Sequence, residues 1–362
     1  MDRPEQIRGL DEVFQRQLEE QRLARLARER FCADGVIVEI TVFDGLIEDR
    51  GIRGDFYDDA IRTKALAGTS GEALFFELAL EDLIQAADLF RPIHDATGGV
   101  DGWVSLEVSP LLADDTAGTT QAAAQLHARA QRPNLFIKIP GTRAGIPAIE
   151  ETIFAGVPVN VTLLFSREHY VGAADAYMRG IERRIAAGRD PRVASVASIF
   201  VSRWDVAVKD KVRDAFRNRL GIAIAMRTYK AYRDLLASPR WQKLADSGAR
   251  PQRLLWASTG TKDPAAPDVL YVEALAAPAT IDTMPEKTLL AFADHGNLKD
   301  AMRFDGGNAE AVLAEFAREG VNDEALAADL QREGTAAFAK SWSDLMYRIA
   351  SKSEALTKAG RA

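Results

Sequence analysis

The sequence predicts an α/β chain folded as a (β/α)8 barrel with extra helices at both ends. Three observations carry this. Short runs rich in Val, Ile, Leu and Phe recur along the chain without alternating polar and apolar residues, the mark of strands buried on both faces of a sheet. Helical segments separate these runs, which implies βαβ crossovers and parallel strands. Seven such strands fall between Gly35 and Met284 at intervals of about 30 residues or more, with room for an eighth before Gly35.

In chain order, EVFQRQLEEQRLARLARERF has apolar residues at helical spacing and predicts an amphipathic helix. GVIVEITVF, from Gly35, is β-branched almost throughout and predicts a strand. Residues 55–65 and 70–97 predict helices, the second opened by a Thr/Ser cap region. WVSLEVSP from Trp103 predicts a strand, TQAAAQLHARAQRP a helix, NLFIKIPG from Asn134 a strand, TRAGIPAIEETIFAG a helix and VPVNVTLLFS from Val157 a strand. REHYVGAADAYMRGIERRIAAG predicts a helix, VASVASIFVSRW from Val193 a strand, and residues 205–238 one long helical stretch. RLLWASTG from Arg253 predicts a strand, DVLYVEALA a short helix and ATIDTMP a last, weak strand, before an amphipathic helical region over roughly 307–360. No linker or composition shift divides the chain, so one domain over 1–362 is expected.

Composition excludes several function classes. Hydrophobic residues make up 47% of the 362 and charged residues 27%, enough to build a sizeable core. The net charge of −7 argues against a nucleic-acid surface, which needs a basic stripe. The single cysteine, Cys32, rules out a disulfide framework. The histidines His94, His127, His169 and His295 lack ligand spacing, so no metal is expected. No strand is followed by GxGxxG and no GxxxxGK[ST] is present, so no nucleotide cofactor is expected. MDRPEQIRG lacks an apolar signal region and no apolar run reaches 18 residues, so a cytoplasmic chain without a membrane span is expected.

Barrels of this class place their chemistry at the C-terminal ends of the strands, so polar residues late in each apolar run are the candidates. Lys138 in NLFIKIPGT is flanked by Ile and followed by a Pro-Gly turn. Facing outward, it would snorkel. Facing a dry interior, it would become the nucleophilic amine that Schiff-base chemistry on a ketone needs. Glu107 in WVSLEVSP is an acid near the end of an apolar strand, either a rim residue or a proton carrier for such a lysine. Asn160 and Thr162 share one face of their strand, as do Ser198 and Phe200 of the next. Arg203 follows that strand, and Ser258 to Lys262 follow another; Ser, Thr, Gly and a cation in such loops suit a phosphate, unless the cations are tied to Asp205 or Asp263.

NLFIKIPGT, VNVTLLFS, VASVASIFVSRWD and LLWASTGTKD together resemble the transaldolase family in its longer bacterial form, supported by EVSPLLADDT, DVLYVEAL and the TMP of IDTMP. The resemblance runs from about Gly35 to Gly296. It implies a (β/α)8 barrel that moves a three-carbon dihydroxyacetone unit between sugar phosphates, without a cofactor. Lys138 would then be the Schiff-base lysine. Glu107 and Thr162 would hold the water for its proton transfers. Asn160 and Ser198 would bind the donor hydroxyls, Phe200 would line the pocket, and Arg203 and Ser258 would bind the phosphate, with Lys262 a looser candidate.

Two departures stand out. Where the family reads GVTSNPTIF this chain reads GVIVEITVF, so Glu39 replaces an Asn that holds a donor hydroxyl. An ionised carboxylate only accepts hydrogen bonds, whereas an amide also donates. The family also opens with a strand carrying an acid/base Asp; here that Asp falls on Asp11 in RGLDEVF, which looks more like the start of a helix. The first strand is thus absent or altered, and either Asp11 or Glu39 supplies the acid/base. A divergent lyase or cyclase using the same iminium, and an inactive sugar-phosphate-binding barrel, are the alternative readings. The oligomeric state is open.

Overall fold

The computed structural model describes residues 37–38, 55–298 and 301–359. Asp11, Glu39, the N-terminal amphipathic segment and most of GVIVEITVF lie outside them.

Seven parallel strands form one sheet among the described residues: β1 (Ile37–Val38), β2 (Val104–Glu107), β3 (Leu135–Pro140), β4 (Val159–Leu164), β5 (Ser195–Phe200), β6 (Gln252–Ala257) and β7 (Thr280–Asp282). Each of β2 to β6 pairs with its sequence successor, and β7 also pairs with β1, so the sheet runs β1-β7-β6-β5-β4-β3-β2. The chain thus winds around in sequence order and returns to its first described strand. This is the order of a (β/α)8 barrel.

The helices are α1 (Asp58–Leu66), α2 (Gly71–Ala96), α3 (Thr116–Ala130), α4 (Gly145–Ala155), α5 (Arg167–Ala186), α6 (Ser202–Val208), α7 (Leu220–Ala237), α8 (Pro239–Asp246), α9 (Leu270–Leu275), α10 (Glu286–His295), α11 (Ala309–Arg318) and α12 (Asp323–Ala359). Asp115, Ser166 and Ser238 accept backbone N–H bonds at the starts of α3, α5 and α8, the side-chain capping that orphan helix donors require. No described helix is long and apolar enough to cross a membrane.

The stretch 205–238 is not one helix. The first helix ends at Val208 and the next begins at Leu220, and in the connection Asn218 adopts a left-handed φ of 60°, a conformation that Asn tolerates. The carboxylate of Asp205 then accepts the backbone N–H groups of Leu220 and Gly221 at 2.9 and 3.2 Å and caps α7. The C-terminal region is likewise two helices, broken at Gly320, whose φ of 86° is unfavourable for residues with a side chain.

Side chains alternate across every strand. One set, including Leu106, Ile137, Ile139, Val159, Val161, Ala197, Ile199 and Trp256, joins the helix layer in a single large core. The other set, Trp103, Phe136, Val196, Leu255 and Ile281, packs together in the barrel interior, with Trp103 stacked on Phe136 at 4.1 Å. This double burial explains the non-alternating strands. Above the inner apolar layer, toward the C-terminal strand ends, the interior becomes polar.

Candidate active site

Parallel register aligns the candidates on one face. Glu107 pairs with Lys138, Lys138 with Asn160, and Pro140 with Thr162. Lys138 lies two residues beyond the interior Phe136, so it also points inward. Its Nζ lies 3.2 Å from Glu107 Oε2, with side-chain exposures of 14% and 9%. The outward, snorkelling alternative for Lys138 is therefore excluded.

A hydrogen-bonded chain reaches past β3 beside this pair. Ser198 Oγ donates to Asn160 Oδ1 at 2.7 Å, and Asn160 Nδ2 donates to Ser105 Oγ at 3.2 Å. All three residues are buried, and the chain satisfies both ends of the amide. Thr162 is fully buried, and its Oγ1 has no hydrogen-bond partner among the described residues. A buried hydroxyl in that state is costly unless a small polar molecule serves it.

Phe200 ends β5 with its ring 5.3 Å from that of Phe165, and the Arg203 guanidinium stands 5.0 Å over the Phe200 ring, a cation–π contact that aims the cation along the strand end. Ser258, just past β6, holds a left-handed φ of 58°. Its hydroxyl is 2.8 Å from Ser202 Oγ, and its carbonyl accepts the Ser202 N–H at 3.0 Å. Strained non-glycine residues of this kind persist where surrounding contacts hold them, often at functional sites.

Arg203, Ser258 and Lys262 line one cleft of about 1010 Å³, together with Arg217, Asn218 and Tyr271. Lys138 does not line it. Two acids of the same cleft, Asp205 and Asp263, also hold other partners. Asp205 accepts from Tyr271 Oη at 2.9 Å and caps α7; burial lifts its carboxyl to about 6 against the pull of these donors. Asp263 accepts from Asn218 Nδ2 at 2.8 Å and from the Ala265 N–H, which hold it below the usual carboxylate range.

The structure thus gathers two groups, the Lys138 layer inside the barrel and the cleft of mixed charge at the ends of β5 and β6, joined by Phe200 and Arg203. Two features escaped the sequence reading. Leu330 and Glu333 of α12 line the cleft, and nothing in an amphipathic helix pattern says which barrel end it covers. Asp282 is a second buried strand acid, which accepts a 2.7 Å bond from Thr259 Oγ1. It looked like Glu107 in sequence, an acid ending an apolar run.

Comparisons with known proteins bear on this geometry. The family model described as Transaldolase/Fructose-6-phosphate aldolase matches residues 19–349, further at both ends than the motifs alone suggested. A protein named Transaldolase from Parafrankia sp. strain EAN1pec is 44% identical over 94% of this chain and 93% of its own length. A Transaldolase from Thermobifida fusca strain YX is 42% identical over 96% of both chains. Transaldolase 1 of Streptomyces coelicolor is 41% identical over 94% of this chain and 90% of its own. Parallel barrel, inward lysine–glutamate pair and near full-length similarity agree, and the chain belongs to the transaldolase/fructose-6-phosphate aldolase family.

Proposed function

We propose that the chain is a transaldolase, moving a three-carbon dihydroxyacetone unit from a ketose phosphate to an aldose phosphate through a Schiff base on Lys138. The observation that carries this reading is the inward Lys138–Glu107 pair within a polar layer of an otherwise apolar barrel. The relatives described above all bear the transaldolase name, which lends no support to the lyase or inactive-barrel readings.

The chemistry follows from the residues. Schiff-base formation needs Lys138 as the free amine, so a proton must leave it first. Glu107 is within reach to accept it, directly or through a water that Thr162 Oγ1 also holds. The free amine adds to the ketone carbonyl to give a carbinolamine. Protonation of its hydroxyl, and loss of water, leave an iminium. The iminium withdraws electrons as a base removes the proton of the hydroxyl on the far carbon, the carbon–carbon bond breaks and an aldose phosphate departs. The enamine left on Lys138 attacks the carbonyl of an acceptor aldose phosphate, and hydrolysis releases the new ketose.

Asn160 and Ser198 hold the donor hydroxyls, Phe200 covers the carbon skeleton, and Arg203 and Ser258, with Lys262 further out, hold the phosphate. The proton-abstracting base is Asp11 or Glu39. A Glu39→Asn variant separates them: a fall in turnover assigns the base to Glu39, and a rise leaves it to Asp11.

The activity is tested by mixing the protein with fructose 6-phosphate and erythrose 4-phosphate and following sedoheptulose 7-phosphate and glyceraldehyde 3-phosphate. Formation of both supports transfer. Their absence, from folded protein and with several ketose and aldose phosphates, overturns it.

A further inference from the structure

Gln331 of α12 is bonded to the two strands that carry Lys138 and Thr162. Its Nε2 donates to the carbonyl of Gly141 at 3.1 Å and to that of Leu163 at 2.9 Å. Gly141 is three residues past Lys138, and Leu163 follows Thr162 directly. Leu163 has a left-handed φ of 58°, and the register between β4 and β5 slips between Val161 and Leu164. Such an irregularity takes backbone groups off the ladder, and buried ones need another partner. Here it also brings consecutive residues, Thr162 and Leu163, to the interior side: Leu163 packs with Phe165, Phe200 and Leu330.

The same face of α12 stays close to the site over two turns. A Cβ added at Gly334 would lie 2.9 Å from Leu163 Cδ2 and 3.1 Å from Arg203 Nη1, so a larger residue there would press on both side chains. Phe338 puts its ring 5.8 Å from the Arg203 guanidinium carbon, which also lies 5.0 Å from the ring of Phe200. Gln331, Gly334 and Phe338 are spaced three and four apart, which makes one stripe of a helix.

We propose that this stripe is a working part of the active site and that Gln331 is a positioning residue for the Schiff-base reaction. By tying the Gly141 and Leu163 carbonyls together it fixes the ends of β3 and β4, and so the relation of the Lys138 amine to Thr162 and its neighbours. The inference rests on the reading of Lys138 as the reacting amine. Reacting groups misplaced by an ångström lose about 10²-fold in rate, so the effect belongs to turnover more than to donor binding.

The test pairs two variants of α12. Gln331→Met keeps the length and removes both donors. Lys352→Met removes the 2.6 Å ion pair to Asp58 at the far end of the helix. Melting temperature, kcat and KM for fructose 6-phosphate are measured for each. Gln331→Met is expected to lower kcat about tenfold or more with KM changed less than about threefold. Lys352→Met is expected to keep kcat within about twofold whatever its drop in melting temperature. Wild-type kcat in Gln331→Met, or kcat loss that simply follows melting temperature in both variants, overturns the proposal. Should Gln331→Met not fold, Gln331→Asn, whose amide is one methylene shorter, gives the same two outcomes. A wild-type protein with no adduct at Lys138 is a different failure: it overturns the Schiff-base reading, and the role of Gln331 falls with it.

Discussion

Glu107 and Asp282 are both buried acids at the ends of apolar strands of one sheet, yet they belong to different environments. Glu107 is on the interior face, with the Lys138 ammonium 3.2 Å away. Asp282 follows the interior residue Ile281 and so points the other way, among Trp256, Val272 and Phe292 beneath α9 and α10. It accepts a hydrogen bond from a neutral hydroxyl, that of Thr259. Burial lifts its carboxyl to about 7, the Thr259 bond offsetting part of the rise. The lesson is that burial alone marks a strained acid. A partner able to exchange protons, on the face that substrate reaches, marks a working one.

The two acids should therefore fail differently when neutralised. Glu107→Gln keeps the shape but cannot take a proton, and kcat for three-carbon transfer is expected to fall about 10²–10⁴-fold, the usual worth of a positioned general base. A coupled spectrophotometric assay checks this, and near wild-type turnover would place Glu107 with Asp282 as a structural acid.

A smaller effect is expected next to the pair. Asn160→Ala leaves the hydroxyls of Ser105 and Ser198 without their amide partner. Unfolding free energy should drop by about 1–3 kcal/mol, and KM for the donor should rise. Urea melts and steady-state kinetics separate the two, and an unchanged KM would reduce Asn160 to a packing role.

Asp282→Asn should leave kcat within about twofold and change only the response of stability to pH. The folded carboxyl titrates near 7 and the unfolded one near 4. A raised folded value means that stability from the protonated acid is complete below about pH 4 and lost as pH rises toward 7, by at most about 1.4 kcal/mol per unit. The variant lacks this loss, so its advantage over the parent should grow from pH 5 to pH 7.5 and then level off. An advantage that shrinks over that range would contradict the assignment.

Much of the barrel was legible because its strands announce themselves. A strand buried on both faces must be apolar along its length, so a lone polar residue such as Lys138 or Asn160 stands out. What was not legible depends on facing and docking. A period of two cannot say which set of residues faces in, so nothing in the sequence set Asp282 apart from or beside Glu107 until the register was known. The break between Val208 and Leu220 involves a left-handed Asn218 and Asp205 reaching α7 from fifteen positions away. The amphipathic stripe of α12 showed that it packs, but not that Gln331 would meet carbonyls of β3 and β4 far back in the chain. Helices α8 and α10 escaped because each is short and lies among stronger strand signals.

The central claim is that the amine paired with Glu107 is the one that reacts. Incubation with fructose 6-phosphate, reduction with borohydride and peptide mass mapping test it directly. A reduced three-carbon adduct on Lys138, lost in Lys138→Ala and retained in Asp282→Asn, is the result predicted. An adduct on another lysine, or transfer activity that survives Lys138→Ala, would contradict it.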